Sequence, residues 1–338
     1  MSILVTGGAG YIGSHVVLAC RDAGYQVVVL DDLSTGRRAA VPQDVPLVEG
    51  DVGDRDLVGR SLAAHGVRAV IHLAGRVVVP ESVVAPLEYY RVNTAASRTL
   101  IEACVEAGVD SFVFSSTAAV YGAPKRIPIA ENAPLEPVNP YGRSKLMTEW
   151  ILADAAAAHG FGYLALRYFN VAGADPEGRA GQSTPQATHL IKVASEAAVG
   201  LRDRVEIFGE DYETPDGTCI RDYIHVSDLA AAHVAALRYL AAGGRSQAMN
   251  CGYGRGHSVR EVLRTVEQVA GRPLALVSAP RRPGDPPDLV ADPSRLKAEL
   301  EWSPKHADLT AMVASAIGWE RILMQSRADK APGEIEND

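Results

Sequence analysis

Cysteine is scarce in this sequence, and the four present, Cys20, Cys104, Cys219 and Cys251, lie far apart. Each sits in or beside an apolar segment and no pair has metal-ligand spacing, so they read as reduced core thiols, neither disulfide partners nor ligands. Positive charge is short as well: 33 Lys and Arg stand against 41 Asp and Glu, a net charge of −8. That deficit argues against a broad basic face, and with it against nucleic acid as a partner. Any phosphate must be held locally, by a few arginines and backbone amides. Also missing is a basic and apolar leader ahead of the first strand at Ile3-Leu4-Val5. No membrane span is indicated, and the expected location is the cytoplasm. No period of about 20 to 50 residues repeats, which excludes a solenoid.

What remains is ordinary for a globular protein: 338 residues, 47% apolar and 22% charged. That suits one large or two intimately packed domains. Apolar runs at Ser2 to Thr6, Gln26 to Leu30, Pro46 to Val48, Ala69 to Leu73, Phe112 to Phe114 and Tyr163 to Arg167 read as strands, most of them separated by helical patterns. Such alternation implies right-handed crossovers and a doubly wound (Rossmann) parallel α/β sheet, with ligands beyond the carboxyl ends of the strands. After Asn170 the chain turns rich in Gly, Asp, Pro, Gln and Thr. Residues 1–170 are therefore expected as the Rossmann domain and 171–326 as a smaller C-terminal α/β substrate-binding region with segments returning to the sheet. Residues 327–338 read as a frayed tail. Helices are expected near Leu190 to Gly200, Val226 to Ala241, Ser258 to Ala270 and Leu309 to Met324.

The first strand runs into Gly7-Gly8-Ala9-Gly10-Tyr11-Ile12-Gly13 and then a helical stretch from Ser14 to Ala23, stopped by Gly24. In such a turn the first glycines permit a tight bend. Gly10 lets the backbone approach a pyrophosphate, and Gly13 lets the helix pack close on the strand. Asp31 ends the second strand, 18 residues after Gly13. Strand, glycine turn, helix and acid together indicate dinucleotide binding. The carboxylate would accept bonds from ribose hydroxyls and repel a 2′-phosphate, which favours NAD over NADP. Arg37 and Arg38 read as solvated loop charges or as phosphate partners. Asp51, followed by Val52, serves either the adenine edge or a helix cap. Leu73-Ala74-Gly75 offers small residues and free amides where a cofactor would pass.

Further on, Asn139-Pro140-Tyr141-Gly142-Arg143-Ser144-Lys145 precedes an Ala-rich, apolar-periodic run. Pro140 fixes the start of a helix, so Tyr141 and Lys145 share a face one turn apart. An ammonium so placed can lower the pKa of a phenol.

Together, Gly7 to Gly13, Leu73 to Gly75, Ser115-Ser116-Thr117 and Tyr141 to Lys145 resemble the extended short-chain dehydrogenase/reductase superfamily. Within it, Leu87 to Tyr90, Val120-Tyr121-Gly122, Arg167 to Asn170 and Arg221 to Leu229 resemble the UDP-glucose 4-epimerase family. The resemblance implies a tightly bound NAD, UDP-glucose and UDP-galactose as substrates, and a homodimer. It casts Tyr141 as the base that takes the proton from the sugar 4-hydroxyl while hydride passes from C4 to the nicotinamide. A 4-keto sugar then turns over and takes the hydride back. Lys145 would bond the nicotinamide ribose and hold the phenol's pKa down. Thr117 would bridge sugar and phenol, or else satisfy a nearby backbone group as a strand-end hydroxyl. Along the cofactor the resemblance places Gly7, Gly10, Tyr11, Ile12, Gly13, Asp31, Asp32, Leu33, Ser34, Thr35, Gly36, Asp51 and Val52. To these it adds Leu73, Ala74, Gly75, Arg76, Val77, Asn93, Ser115, Tyr168 and Phe169. On the substrate side it places Asn170, His189, Leu190, Phe208, Arg221, Tyr223, Arg282, Asp285 and Leu289.

Four departures matter, the first being Arg76 where many members of the family have Lys. Asp32 stands where Asn is commoner in the family. Thr188-His189-Leu190-Ile191-Lys192 replaces Asn-Asn-Leu-Met-Pro, leaving His189 as a substitute donor or as a helix-cap residue. Leu289 aligns with the position whose bulk governs room for an N-acetyl group. The sequence leaves open acceptance of UDP-GalNAc, uronates or pentoses. A 4,6-dehydratase would need an acid and a base after Thr117, where Ala118-Ala119 stand. Leu152, Ala155 and Ala156 serve either subunit pairing or packing on the sheet.

Overall fold

The computed structural model describes residues 1–184, 187–282 and 284–329, so the expected tail lies outside the described residues from 330 onward. The first half runs β1 (Ser2–Thr6), α1 (Tyr11–Asp22), β2 (Gln26–Asp31), β3 (Leu47–Glu49), α2 (Arg55–Ala64) and β4 (Val67–His72). It continues through two short helices, α3 (Val79–Val84) and α4 (Pro86–Tyr90), to α5 (Ser97–Glu106), β5 (Ser111–Thr117), α6 (Pro140–His159) and β6 (Gly162–Tyr168). The second half holds β7 (Asn170–Ala172), α7 (Leu190–Ala198), β8 (Val205–Phe208), β9 (Ile220–His225), α8 (Val226–Ala241) and β10 (Gln247–Cys251). After them come β11 (Gly256–Ser258), α9 (Val259–Ala270), β12 (Leu276–Ala279), β13 (Asp288–Leu289), α10 (Ser294–Glu299) and α11 (Leu309–Asp329).

Seven strands form one sheet in the order β3-β2-β1-β4-β5-β6-β10, every pair parallel. This is the doubly wound fold expected from the alternation. Strand side chains alternate faces, and both faces are covered. Ile3 and Val5 pack with Val16, Val17 and Cys20 of α1 and Leu229 and Leu237 of α8, whereas Leu4 packs with Leu62 of α2, Leu100 of α5 and Leu152 of α6. Two covered faces explain why the strands read as unbroken apolar runs. Leu152 lies in the sheet-side core and Ala155 packs against it, so packing on the sheet is the use this helix makes of these two. The strand order reverses between β1 and β4, which opens a crevice beyond their carboxyl ends.

From the second half, β10 joins β6 in the sheet. A separate cluster unites α7, α9, α11 and β8. Between the two, β9 pairs antiparallel with β11 and parallel with β7 and β13. That small sheet sets Asn170 opposite Tyr223 and Leu289 opposite Arg221. All four cysteines are buried and free. Among the described residues no helix is long and apolar enough to cross a membrane.

Candidate active site

The helix after the glycine turn begins at Tyr11, three residues before the expected Ser14, so Gly13 lies inside it. A Cβ on Gly13 would come 2.0 Å from the Gly7 carbonyl oxygen, and one on Gly7 would come 2.6 Å from the Ala74 amide nitrogen. Only glycine lets the turn, α1 and the end of β4 approach so closely. Gly10 caps α1 without a side-chain bond, which leaves the first-turn amides of Tyr11 and Ile12 for an anion. Tyr11 itself turns away, donating its phenol to the Gly173 carbonyl at 2.6 Å. Asp31 is buried and accepts from the amides of Ala9 and Leu33, each at 2.9 Å, so it ties the glycine turn to the next loop. Burial raises its carboxyl above the usual value despite those two amides. Asp32 accepts from the Ser34 amide at 2.9 Å, and Arg38 pairs with Glu49 on the surface, as a solvated loop charge. The N-cap of α2 is Asp54; Asp51 instead accepts from the Gly53 amide at 2.7 Å.

Past β4, Gly75 faces two groups at once. A Cβ there would lie 2.9 Å from Asn93 Oδ1 and 3.3 Å from Lys145 Nζ. Asn93 is buried in a π-helical turn, Arg91–Ala96, and clamps the loop by its amide. Its Oδ1 accepts from the Arg76 amide at 2.8 Å, and Nδ2 donates to the Arg76 carbonyl at 2.9 Å and to Ser144 Oγ at 3.1 Å. The Arg76 side chain points elsewhere, to Glu81 at 2.8 Å and Glu88 at 3.4 Å, and Val77 is exposed.

Asn139 caps α6 by accepting from the Gly142 amide at 2.9 Å, and Pro140 takes the first turn. Tyr141 and Lys145 then sit one turn apart, both buried. The Lys145 ammonium lies 5.0 Å from the centre of the Phe114 ring and, among the described residues, has no ion-pair partner. Burial lowers its pKa to about 8. The Tyr141 phenol moves the other way: burial raises it, and the Thr117 hydroxyl beside it opposes the rise. The lowering expected from Lys145 is therefore not found in the protein alone, where burial and the Thr117 hydroxyl set the shift. Thr117 Oγ1 accepts from the Ala119 amide at 3.1 Å, the backbone use expected of a strand-end hydroxyl. Ser115 bonds the Tyr168 phenol across to β6.

On the substrate side, Arg221 is buried and donates to Asp285 at 2.6 Å. The Arg282 guanidinium lies 3.9 Å from the centre of the Phe208 ring, a cation–π stack. Tyr223 is buried two residues beyond Arg221. Leu289 packs onto a cluster containing Ala118, Leu146 and Phe169 and so borders the Thr117 turn and α6. His189 occupies the N-cap position of α7 without capping it; its ring Nδ1 meets Gln182 Nε2 at 2.9 Å.

Sequence reasoning missed the buried partners behind the tyrosine helix, above all Glu149, which pairs with Arg167 at 2.5 Å. A carboxylate one turn past Lys145 was the available signal, but nothing local shows that it is buried.

The arrangement fits a dinucleotide: a cradle that only glycine permits, uncapped helix amides, a buried acid and a buried ammonium without an ion-pair partner among the described residues. Comparison with known proteins points the same way. Residues 3–252 match the NAD dependent epimerase/dehydratase family. The chain is 63% identical to the UDP-glucose 4-epimerase of Azospirillum brasilense over 98% of its own length and 95% of the relative's. Its fold is similar to that of UDP-glucose 4-epimerase from Brucella ovis in complex with NAD, with TM-score 0.91 and 45% identity over 94% of this chain and 97% of that one. It is also similar to the enzyme from Bifidobacterium longum in complex with NAD+ and UDP, with TM-score 0.90 and 37% identity over 95% and 98% of the two chains. The chain belongs to the NAD dependent epimerase/dehydratase family.

Proposed function

We propose that this chain interconverts UDP-galactose and UDP-glucose as a UDP-glucose 4-epimerase, with NAD as its resident cofactor. The observation that carries this reading is the placement of Tyr141 and Lys145 one turn apart, both buried, with Thr117 beside the phenol and Gly75 beside the ammonium. Bound NAD supplies the hydride acceptor and donor for the sugar C4.

The protein's own residues supply the rest. The amides of Tyr11 and Ile12 receive the pyrophosphate, and Asp31 receives the adenosine ribose hydroxyls. Lys145 holds the nicotinamide ribose. Tyr141 removes the proton from the sugar 4-hydroxyl and returns it, and Thr117 fixes the angle between the two oxygens. Arg221 and Arg282 clamp the diphosphate, the uracil lies against Phe208, and Asp285 takes the uridine ribose. Ligand entry then requires Arg282 to leave the Phe208 face, or the base to use the opposite one. With Ala118 and Ala119 following Thr117, no acid or base stands in that turn to eliminate water, which disfavours dehydration. In this reading residues 1–170 hold the cofactor and 171–326 the UDP-sugar, in the cytoplasm.

To test it, the purified protein is incubated with UDP-galactose, UDP-GalNAc or UDP-glucuronate without added NAD, and products are separated by chromatography. UDP-glucose is expected from UDP-galactose. No interconversion of any of them, even with NAD supplied, overturns the reading.

A homodimer belongs to the same proposal. Val84, Leu87 and Trp150 are 83%, 81% and 56% exposed, on the adjoining helices α3, α4 and α6. Apolar side chains grouped this way mark a subunit contact. Replacing Leu87 and Trp150 together by Glu is expected to halve the particle mass seen by light scattering at micromolar protein. An unchanged mass would place the contact elsewhere.

A further inference from the structure

Behind the tyrosine helix lies a buried polar row that no step above uses. Three neighbouring parallel strands put Ser116 of β5, Arg167 of β6 and Asn250 of β10 at matching register positions. Glu149 comes down on the row from α6, one turn beyond Lys145 and two beyond Tyr141. It accepts from Ser116 Oγ, and from Arg167 Nε at 2.9 Å and Nη2 at 2.5 Å. Arg167 Nη1 then donates to the Tyr121 phenol at 3.0 Å, and that phenol donates to Asn250 Oδ1 at 2.7 Å. Asn250 completes the chain by donating Nδ2 to the Ile129 carbonyl at 2.8 Å. Glu149, Arg167, Tyr121 and Asn250 are all nearly inaccessible to water.

The row grips both ends of the catalytic geometry. Ser116 adjoins Thr117, and Tyr121 ends the short turn, Ala118–Tyr121, that Thr117 caps. Glu149 belongs to the helix of Tyr141 and Lys145. The turn and the helix are in close contact, since a Cβ on Gly142 would lie 2.6 Å from the Ala119 carbonyl oxygen. A buried ion pair is weak evidence for stability, because desolvation offsets much of its attraction. Its directional bonds, however, fix relative placement well.

Resting on the function proposed above, we propose that Glu149, Arg167, Tyr121 and Asn250 are positioning residues that set Thr117 against the Tyr141 phenol. They do so by locking α6 to the turn after β5 and to β10. A loosened row lets Thr117 drift from the phenol, and misplacement near 1 Å lowers turnover by up to about a hundredfold.

Tyr121→Phe tests this, because it removes one oxygen from the middle of the row and keeps both the ring and the Glu149–Arg167 pair. Expected are a kcat lowered about tenfold, KM within about twofold of the parent, and a pH–kcat profile whose acidic limb moves upward as the Thr117 hydroxyl drifts from the phenol. Independently of turnover, the Tyr141 phenol is titrated by ultraviolet difference absorbance, each background being compared with its own Tyr141→Phe counterpart. Its midpoint is expected to rise in the Tyr121→Phe background. Unchanged kcat, pH profile and phenol midpoint overturn the proposal, as does a fall in melting temperature alone. A parent inactive on every UDP-sugar overturns the epimerase reading, while the phenol titration still decides whether the row positions Tyr141.

Discussion

Tyr141→Phe is expected to lower kcat by about 10²- to 10⁴-fold, the usual worth of a positioned proton-transfer group, while KM moves only a few-fold. This corresponds to about 3 to 5 kcal/mol of transition-state stabilisation. The variant removes one oxygen. The ring still packs edge-on to Tyr89, with centroids 6.5 Å apart, so the fold and the neighbouring sites should stay intact. Steady-state kinetics on UDP-galactose across pH checks it. A variant that retained full turnover would remove Tyr141 from the chemistry.

Gly13→Ala should be nearly as damaging, through a different cause. The new methyl would sit 2.0 Å from the Gly7 carbonyl oxygen and 2.7 Å from the Gly8 Cα, both of them backbone. No side-chain rotation relieves such a clash. The turn has to open, which should cost about 1 to 3 kcal/mol or more in stability and spoil the amide cradle. Purified Gly13→Ala protein is expected to carry little or no NAD, by absorbance after denaturation, and to melt several degrees lower. Gly59→Ala is the control. It lies within α2 with nothing inside 4 Å of its added Cβ, and should be neutral or slightly stabilising. Retained NAD in Gly13→Ala would show that the turn does not hold the cofactor.

These two residues also show which features a sequence announces. Gly13 and Tyr141 are legible because their requirements are local: a glycine between strand and helix, and a proline that fixes where a helix begins. The same holds for Val226–Ala241, where the helix runs over the residues its apolar period marks. Legibility fails where the partner is distant. Nothing near Glu149 reveals that Arg167 and Ser116 meet it in the core. Tyr11 is read from its motif as a cofactor neighbour, yet its phenol is spent on Gly173, 162 residues away. Asn93 is likewise read from the resemblance as a cofactor neighbour, but its amide is engaged with the Arg76 backbone and Ser144. Strands as short as Asn170–Ala172 and Asp288–Leu289 carry too few residues for alternation to register, so the small sheet that sets Leu289 beside Arg221 emerges only in three dimensions.

In the proposed reaction, C4 of a UDP-hexose is oxidised and then reduced within one closed site. The most direct measurement supplies UDP-galactose carrying deuterium at C4 and follows the label by mass spectrometry and proton NMR as UDP-glucose accumulates. The label is expected to stay at C4 of the product and none to appear in water, because the hydrogen returns within the site while Tyr141 handles only the hydroxyl proton. Label lost to solvent, or label retained with no UDP-glucose formed, would contradict it.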